Sequence, residues 1–474
     1  MGSYSDRSSG VGQVQTARRN ACGAARVLVG AAAFAVFSLI GCFQSESVGQ
    51  IAARGVDWPR FLGPTGDNKS PETGIATDWG PHGPPVVWHR ELGTSYGIGS
   101  VAGGRFYQFD RHGDQARLTC LDARTGPFLW KFEYPTDYED LVGYNHGPRA
   151  SPVIDEGRVY LFGAEGMLHC LQADDGKLLW RVDTARRFGV VQNYFGVGST
   201  PVVEGDLLIA MIGGSPPESQ GAGRFDLGRV KGNGTGVVAF DKRTGQVRYA
   251  LTDELASYAT PQLATIDGRR WCFVFARGGL IGFDPRAGKL DFHYPWRSRL
   301  RDSANASTPV VVGNEVYISE AYGPGSSLLR VRPGACEIVW RDPPTRDKAL
   351  LLHWNTPIYH QGYLYGSSGR HSGEAELRSI EWKTGRVMWS KPGLRWASLL
   401  YVDGHFVCLS EDGVLRLIRA TPEKYVELCR SVIRQRPDGP ALVKPPAWAA
   451  PILAHGLLYV RGDDRLVCLR LIAE

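Results

Sequence analysis

One stretch of sequence occurs twice in nearly the same form: residues 118–130 read LTCLDARTGPFLW, and residues 168–180 read LHCLQADDGKLLW. Each copy contains an apolar strand, a turn that ends in glycine and, four residues after that glycine, a tryptophan. Weaker copies end in the same way at five further aromatic residues, Tyr249, Phe292, Trp340, Trp389 and Tyr425. A unit that recurs along most of a chain is typical of a repeat architecture, in which each repeat forms one supersecondary unit.

The beginnings of the units are also alike. A small residue and a proline open a short apolar strand, which runs into a glycine or asparagine turn and a second strand. Six such pairs occur, at Ser151-Pro152, Thr200-Pro201, Thr260-Pro261, Thr308-Pro309, Thr356-Pro357 and Ala450-Pro451. Proline at the first residue of a strand removes no ladder hydrogen bond. The unit therefore predicts a four-stranded antiparallel meander, with strand A at the proline and the turn between strands C and D at the glycine.

The count of units predicts eight blades. Seven units carry a strand D aromatic residue, and the last part of the sequence supplies strands A, B and C at 451–453, 457–460 and 465–469. A strand D without a unit of its own lies at residues 85–89, PVVWH. Pairing the two would complete an eighth blade and close the ring, which removes the open sheet edge. The predicted fold is thus all-β, an eight-bladed β-propeller closed by an N-terminal strand.

The first 42 residues have the pattern of an export signal. A basic stretch ends at Arg26, and the fourteen residues 27–40 are uncharged and mostly apolar. Such a segment is too short to span a bilayer, which takes roughly 20 residues, but it fits a cleaved signal. Residues 39–42, LIGC, resemble a bacterial lipobox, which makes Cys42 a candidate for lipidation; a plain signal peptide or an uncleaved anchor is the alternative. The predicted organisation is a signal at 1–42, an extended linker at 43–84 and a propeller at 85–474.

Charge and cysteine content exclude several classes of protein. Residues 1–42 carry four arginines and one aspartate, which leaves 50 of 54 basic and 47 of 48 acidic residues for the remainder. A nearly neutral body does not indicate a nucleic-acid-binding protein. Seven of the nine cysteines lie after residue 42 and are scattered without a C-x-x-C motif, so a zinc ribbon or redox site is not indicated. Cys120, Cys170 and Cys468 share an L-x-C-L setting, which predicts small hydrophobic residues in strand C.

The D-x-x-T-G-x-x-x-W unit resembles the pyrroloquinoline-quinone (PQQ) repeat of eight-bladed propellers, over about residues 85–474. The family includes quinoprotein alcohol dehydrogenases and the outer-membrane assembly lipoprotein of the β-barrel machinery. The resemblance implies that the strand D tryptophans dock between blades. The lead-in at 57–64, DWPRFLGP, and residues 147–152, GPRASP, resemble exported PQQ-like propeller proteins without an assigned role.

Residues just before each small-residue–proline pair are the candidate site, because strand A of each blade begins beside the central channel. Polar groups would orient a ligand there, while aromatic faces supply contact area; alternatively, these side chains only fill the channel. The candidates are His146, Arg149, Asn193, Tyr194, Tyr258, Asn305, His353, Trp354, Asn355, Trp396 and Trp448.

Arg149 is the sharpest candidate among them. An arginine in a crowded axial position needs an anionic partner, which could belong to the protein or to a ligand. If the partner is a ligand, an Arg149→Ala variant should keep its melting temperature and bind that ligand less tightly.

Two functions are compatible with these patterns. The first is an exported, monomeric binding or scaffold module of the periplasm or cell envelope, membrane-anchored if Cys42 is lipidated, that contacts envelope proteins or a polymer. The second is a PQQ- or metal-dependent oxidoreductase. The resemblance implies that such enzymes hold PQQ between a tryptophan and a vicinal disulfide, beside a calcium ion. This sequence has no adjacent cysteines and few axial carboxylates, whereas calcium takes several oxygen ligands. We therefore expect no cofactor, metal or catalytic residue.

Two segments outside the repeat are candidate binding loops. Residues 134–140, YPTDYED, are acidic and aromatic, and residues 213–236 form an insertion rich in glycine, serine and proline. Loops on a rigid scaffold often carry function. Solvated loops without a role are the alternative.

Overall fold

Each repeat unit forms one four-stranded antiparallel sheet, and eight such sheets make an eight-bladed β-propeller, as predicted. The computed structural model describes residues 55–222, 226–300 and 303–473. Two strands precede the first blade: β1 (Lys69–Ser70) and β2 (Val86–Glu91).

Blades 1 to 4 follow in chain order. Blade 1 consists of β3 (Ser100–Ala102), β4 (Arg105–His112), β5 (Gln115–Asp122) and β6 (Phe128–Pro135). Blade 2 consists of β7 (Val153–Asp155), β8 (Arg158–Phe162), β9 (Met167–Gln172) and β10 (Leu178–Asp183). Blade 3 consists of β11 (Val202–Glu204), β12 (Leu207–Met211), β13 (Val237–Asp241) and β14 (Val247–Leu251). Blade 4 consists of β15 (Gln262–Ile266), β16 (Arg269–Phe275), β17 (Gly279–Asp284) and β18 (Lys289–Pro295).

Blades 5 to 8 complete the ring. Blade 5 consists of β19 (Val310–Val312), β20 (Glu315–Glu320), β21 (Gly325–Arg332) and β22 (Ala335–Arg341). Blade 6 consists of β23 (Ile358–His360), β24 (Tyr363–Ser368), β25 (Glu376–Glu381) and β26 (Val387–Pro392). Blade 7 consists of β27 (Ala397–Val402), β28 (His405–Ser410), β29 (Val414–Arg419) and β30 (Glu427–Val432). Blade 8 consists of β31 (Ile452–Ala454), β32 (Leu457–Arg461), β33 (Arg465–Arg470) and β2.

The ring closes through the predicted strand exchange. Strand β2 pairs antiparallel with β33, and Trp88 lies opposite Cys468. In the part of the chain that the structure describes, helical structure is limited to α1 (Thr184–Phe188) and three short 3-10 turns at Gly80–His82, Pro217–Ser219 and Ser372–Glu374. None of the helices within residues 55–222, 226–300 and 303–473 has the length and apolar character that crossing a membrane requires.

The strand D aromatic residues join neighbouring blades, which explains why the repeat couples a glycine turn to a tryptophan. The ring of Trp88 lies on Gly126 of the next blade, where an added Cβ would come within 2.8 Å of the indole. Gly126 also has a φ of 84°, which favours glycine. The indole N–H of Trp88 donates to the Ala123 carbonyl at 3.1 Å. The same contact recurs between Trp130 and Gly176, Trp180 and Gly245, Tyr249 and Gly288, and Trp340 and Gly385.

A second set of contacts joins the blades near the axis. The hydroxyl of each Thr-Pro threonine accepts a backbone N–H from the preceding blade: Ser151 donates to Thr200 at 3.0 Å, and Thr200 donates to Thr260 at 3.1 Å. Thr260 donates to Thr308 at 3.3 Å, and Thr308 donates to Thr356 at 3.2 Å. The threonine before the proline is thus an inter-blade acceptor as well as the residue that begins strand A.

Cysteines of the L-x-C-L pattern lie inside blades. Cys120, Cys170 and Cys468 are fully buried in β5, β9 and β33, the third strand of their blades. All cysteines among the described residues are free thiols. Burial raises the pKa of the Cys120 thiol to about 12, so this group is a protonated core residue at neutral pH.

Residues 55–84 are packed against the ring, which differs from the extended linker predicted for 43–84. Trp58 is completely buried and pairs with Val101 through two backbone hydrogen bonds of 2.8 Å. Strand β1 adds to blade 7 in parallel, with Lys69 opposite Tyr401. Apolar burial of this kind holds in place a segment that has little regular secondary structure. The predicted signal, including Cys42, lies outside the described residues.

The same segment closes one side of the channel. Asp57 contacts the A–B turns of two blades: its carboxylate accepts from Gly103 N at 3.1 Å and pairs with His455 Nε2 at 2.8 Å. Phe61 and Leu62, a few residues later, line the axial cavity. The channel is therefore covered on the A–B turn side, and the cavity faces the side where strand A begins.

Candidate functional site

A cavity of about 430 Å³ lies where the eight strands A begin. Each blade contributes a lining residue from this position: Ile98, Ser151, Thr200, Thr260, Ala306, Thr356, Ser398 and Ala450. The cavity is therefore axial, and its wall is built by the inner ends of all blades. Pockets of 300–1,000 Å³ are the usual size for small-ligand sites.

Eight of the eleven predicted site residues line this cavity: Arg149, Tyr194, Tyr258, His353, Trp354, Asn355, Trp396 and Trp448. The other three lie elsewhere. His146 is exposed, and its Nδ1 accepts from Asp140 N at 3.0 Å. Asn193 lines a neighbouring cavity. Asn305 is buried, and its amide donates to the Ala276 and Trp296 carbonyls at 2.7 and 3.1 Å, so it fixes the wall.

Aromatic rings form one continuous cluster along the wall. The ring centroid of Trp354 lies 4.8 Å from Trp396, 4.9 Å from Trp448 and 5.3 Å from His353. Tyr96 extends the cluster, at 4.8 Å from Trp448. Ring pairs at these separations are mutually stabilising, so the cavity presents a wall of fixed flat faces.

Hydrogen bonds hold these rings in position. The Trp354 indole N–H donates to the Trp448 carbonyl at 3.2 Å, and the Trp396 indole N–H donates to the Gly369 carbonyl at 2.9 Å. The Asn355 amide donates to the Ser367 carbonyl at 2.7 Å. Burial lowers the pKa of His353 to about 4, so its imidazole is neutral at pH 7. The polar atoms of these side chains mostly orient the wall, while the ring faces are left for a ligand.

Arg149 has its anionic partner within the protein. Its Nη2 lies 2.8 Å from Oδ2 of Asp140, whose side chain is fully buried. The guanidinium also donates to the Asn145 and Gly147 carbonyls at 2.9 and 3.1 Å. Its Cζ lies 5.6 Å from the ring centroid of Tyr96. The sequence left open whether the anionic partner of Arg149 belongs to the protein or to a ligand. In the structure this partner is the carboxylate of Asp140.

Arg370 is a second arginine of the cavity wall. Its Cζ lies 5.1 Å from the ring centroid of Tyr322. No Asp or Glu lines the cavity among the described residues. The nearby carboxyl of Glu320 is fully buried, and burial raises its pKa to about 7; it accepts from Ser303 Oγ at 2.8 Å and from Tyr322 N at 2.9 Å. The wall is thus aromatic, with positive charge and no exposed carboxylate.

This donor set does not fit the PQQ–calcium group of quinoprotein dehydrogenases. Calcium takes six to eight oxygen ligands and prefers carboxylates, and the described part of the cavity wall offers none. No cluster of three or more potential metal ligands occurs among the described residues. The chain also lacks the adjacent cysteines that the family's cofactor site uses.

Several lining residues were missed by the sequence reasoning. Phe61 and Leu62 come from the N-terminal segment, and Phe195 directly follows the predicted Tyr194. Tyr322 and Arg370 follow the second strand of their blades. The position after the second strand could have been predicted from the repeat. The second strand of a blade runs back toward the face where the first strand starts, so the residues that follow it also lie at the opening of the axial cavity.

Comparisons with known proteins agree with this fold. A family model described as "Outer membrane protein assembly factor BamB" matches residues 114–391. The crystal structure of BamB from Moraxella catarrhalis superposes with a TM-score of 0.53 at 14% identity, covering 81% of this chain and 97% of that one. Quinohemoprotein alcohol dehydrogenase from Comamonas testosteroni superposes with a TM-score of 0.56 at 12% identity, covering 88% and 81%. At these identities the likeness concerns the fold alone.

A curated relative is the dehydrogenase subunit of the quinone alcohol dehydrogenase from Acetobacter aceti. It is 24% identical over 273 residues, which are 52% of this chain and 34% of the relative. The chain thus spans about a third of the length of this relative. Since the family model covers more than half of the sequence, the chain belongs to the PQQ-repeat propeller family of outer membrane protein assembly factor BamB.

Proposed function

We propose that this protein is a binding module of the cell envelope, and that its axial cavity holds a ring-bearing group of a partner. The observation that carries the proposal is the wall of fixed Trp354, Trp396 and Trp448 faces around about 430 Å³. Aromatic side chains bury large apolar area without losing much conformational freedom. The group would be an aromatic side chain of an envelope protein or a sugar ring of a polymer.

Further support comes from the chemistry that the wall lacks. A general acid or base for oxidation of an alcohol needs a titratable group facing the substrate, and no carboxylate lines the described wall. Burial lowers the pKa of His353 to about 4, which makes its imidazole a weak base. Oxidoreductase activity is the second candidate function, because a curated relative is a subunit of a quinone-dependent alcohol dehydrogenase.

The proposal includes export by residues 1–42, lipidation of Cys42 and a monomeric ring. The family match is to an outer membrane assembly factor, which supports an envelope location. Ring closure by β2 pairs the edge of blade 8, and a closed propeller presents only short sheet edges to other copies.

The test is ligand binding by a cavity variant and a matched control. Soluble β-1,4-linked glucan oligomers and short peptides with Trp or Tyr serve as probes, with calorimetry as the measurement. A Trp396→Leu variant should lose at least about tenfold in affinity, as expected for a central aromatic contact. Trp389→Leu is the control, because Trp389 lies in β26, donates to the Thr421 carbonyl at 3.0 Å and does not line the cavity.

Four results separate the candidates. Preference for glucan identifies a polymer, and preference for aromatic peptides identifies a protein partner. Equal affinity of both variants and wild type would contradict a role for the axial wall. Stoichiometric binding of PQQ with calcium, seen in the absorbance spectrum, would establish the oxidoreductase candidate instead.

A further inference from the structure

A second cavity lies off the axis, under the two loops that the sequence singles out. It has a volume of about 520 Å³ and is lined by blades 2, 3 and 4. Residues 137–139 of the acidic aromatic loop form part of its wall, and so do Leu227 and Val230 of the long insertion. Both candidate loops thus contribute to the wall of one cavity.

Arg277 in this wall is a buried cation without a protein partner at Nη2. Its residue exposure is 5%, and Nη2 is buried with no hydrogen-bond partner among the described residues. The nearby carboxylate of Glu254 is already engaged, by His293 Nε2 at 2.8 Å and by Gly278 N at 2.7 Å. Burial lowers the pKa of Arg277, with Arg297 adding repulsion. A guanidinium stays protonated, and a buried N–H donor of this cation that has no acceptor is costly in this position.

Unpartnered hydroxyl groups line the same cavity. Ser199 and Ser257 are each 2% exposed, and their Oγ atoms have no partner among the residues that the structure describes. Buried polar groups are nearly always hydrogen-bonded in folded proteins. Several unsatisfied donors around one space indicate a ligand that accepts hydrogen bonds.

We infer that this off-axis cavity binds a carboxylate attached to an apolar body, with Arg277 as the anion-binding residue. A guanidinium pairs with a carboxylate through two parallel hydrogen bonds. The remainder of the wall is largely apolar and would contact the body of the ligand, through Leu141, Val190, Val197, Met211, Ile212, Leu227, Val230 and Leu255.

The charges of the wall favour a monoanion over a phosphate. The acidic residues of the wall are Asp137 and Glu139, which are exposed, and Glu165, which is bound by the Tyr134 hydroxyl at 2.7 Å. Arg277 is the one Lys or Arg among the described lining residues. The acidic side chains repel the two charges of a phosphate more strongly than the single charge of a carboxylate, so one cation suits a carboxylate better. The site is separate from the axial cavity, so this inference does not depend on the proposed function.

The test compares an acid with its amide. N-acetyl-leucine and N-acetyl-leucinamide share an apolar body, and the tripeptide Ala-Ala-Leu, with a free or amidated terminus, provides the same contrast on a chain end. Calorimetry on the wild type should show at least tenfold tighter binding of the acid forms. The Arg277→Met variant should lose this difference, and Arg277→Lys should keep part of it. Arg370→Met is the control, since Arg370 lines only the axial cavity.

Stability without ligand gives an independent readout. Removal of an unpaired buried charge should raise the melting temperature of Arg277→Met by a few degrees, whereas a merely structural arginine would lower it. Binding of the tripeptide alone identifies a chain terminus as the ligand, and binding of both acids identifies a small carboxylate. The inference is overturned if the acids do not outbind the amides, if inorganic phosphate binds more tightly than N-acetyl-leucine, or if Arg277→Met binds acids as well as the wild type.

Discussion

Arg149 and Arg277 are both buried arginines in cavity walls on the same face of the propeller, but their surroundings differ. Arg149 lies 2.8 Å from the fully buried carboxylate of Asp140. Arg277 has a buried Nη2 that lacks a hydrogen-bond partner within residues 55–222, 226–300 and 303–473. The difference teaches that the residue type alone does not assign a role. An arginine whose charge is balanced inside the protein is part of the structure, and one whose charge is unbalanced is available to a ligand.

Asp140 shows why the first arginine is structural. Its Oδ1 accepts from the backbone N–H groups of Val142 and Gly143 at 2.7 and 2.6 Å, and its Oδ2 accepts from Asn145 N at 3.3 Å. The loop at 140–149 is therefore organised around one ion pair.

The largest effect is expected for Arg149→Ala. Removing one partner of a buried ion pair leaves an uncompensated charge and costs about 3–5 kcal/mol. Denaturant unfolding should show this loss, in contrast to the stabilisation expected for Arg277→Met. An Arg149 side chain whose partner was a ligand would instead leave the melting temperature of Arg149→Ala unchanged.

A double variant controls for that result. Asp140→Ala combined with Arg149→Ala should cost less than the sum of the two single changes, because the pair is lost only once. An unchanged melting temperature in Arg149→Ala would show that the pair contributes nothing, and the contrast between the two arginines would then fail.

Glu320 extends the contrast to a buried acid whose cationic neighbours, Arg370 and Arg297, do not offset the effect of burial on its pKa. Burial raises its pKa from 4.5 to about 7. The unfolded chain releases its proton more readily than the folded one between these values, so this group makes the protein less stable as pH rises from about 4.5 to about 7. A Glu320→Gln variant should gain on the order of 2 kcal/mol over the wild type between pH 5 and pH 8.

Unfolding of both proteins at the two pH values measures that difference, and all other titrating groups cancel in it. Glutamine can accept from Tyr322 N and donate to Ser303 Oγ, so the geometry of the site is kept. A difference that does not change with pH would contradict the raised pKa.

The smallest effect on stability is expected for a neutral indole N–H group that has a hydrogen-bond acceptor in one blade and lacks one in the next. The Trp88 indole N–H donates to the Ala123 carbonyl at 3.1 Å, whereas the buried Nε1 of Trp130, at the equivalent place in the next blade, has no partner among the described residues. Trp88→Phe should therefore destabilise the protein by about 1 kcal/mol more than Trp130→Phe. Chemical denaturation of the matched pair checks this, and equal losses would show that the hydrogen bond is energetically neutral.

Much of the fold was accessible from the sequence. The glycine turn, the tryptophan four residues later and the Thr-Pro start recur because each blade makes the same local turns and the same contacts to its neighbours. Eight blades, the antiparallel order and the closure by residues near Trp88 could be predicted for that reason. Eight of the eleven axial candidates also line the cavity, since the position before strand A is fixed by the repeat.

Other features depend on contacts outside the repeat. The sequence did not indicate that residues 55–84 pack on the ring or that Phe61 reaches the axis, because these contacts join distant parts of the chain. Export, lipidation of Cys42 and the identity of a partner remain predictions from the sequence.

The sequence by itself determined the repeat, the number of blades and the way the ring closes, because these follow from short motifs that set local turns and strand ends. Only the tertiary structure decided which buried charges are balanced. That balance depends on loops that differ from blade to blade, as Asp140 beside Arg149 and the unpartnered Arg277 show. Whether two charged side chains form a pair depends on the distance between them in the folded protein. The repeat pattern does not determine that distance for residues in the loops.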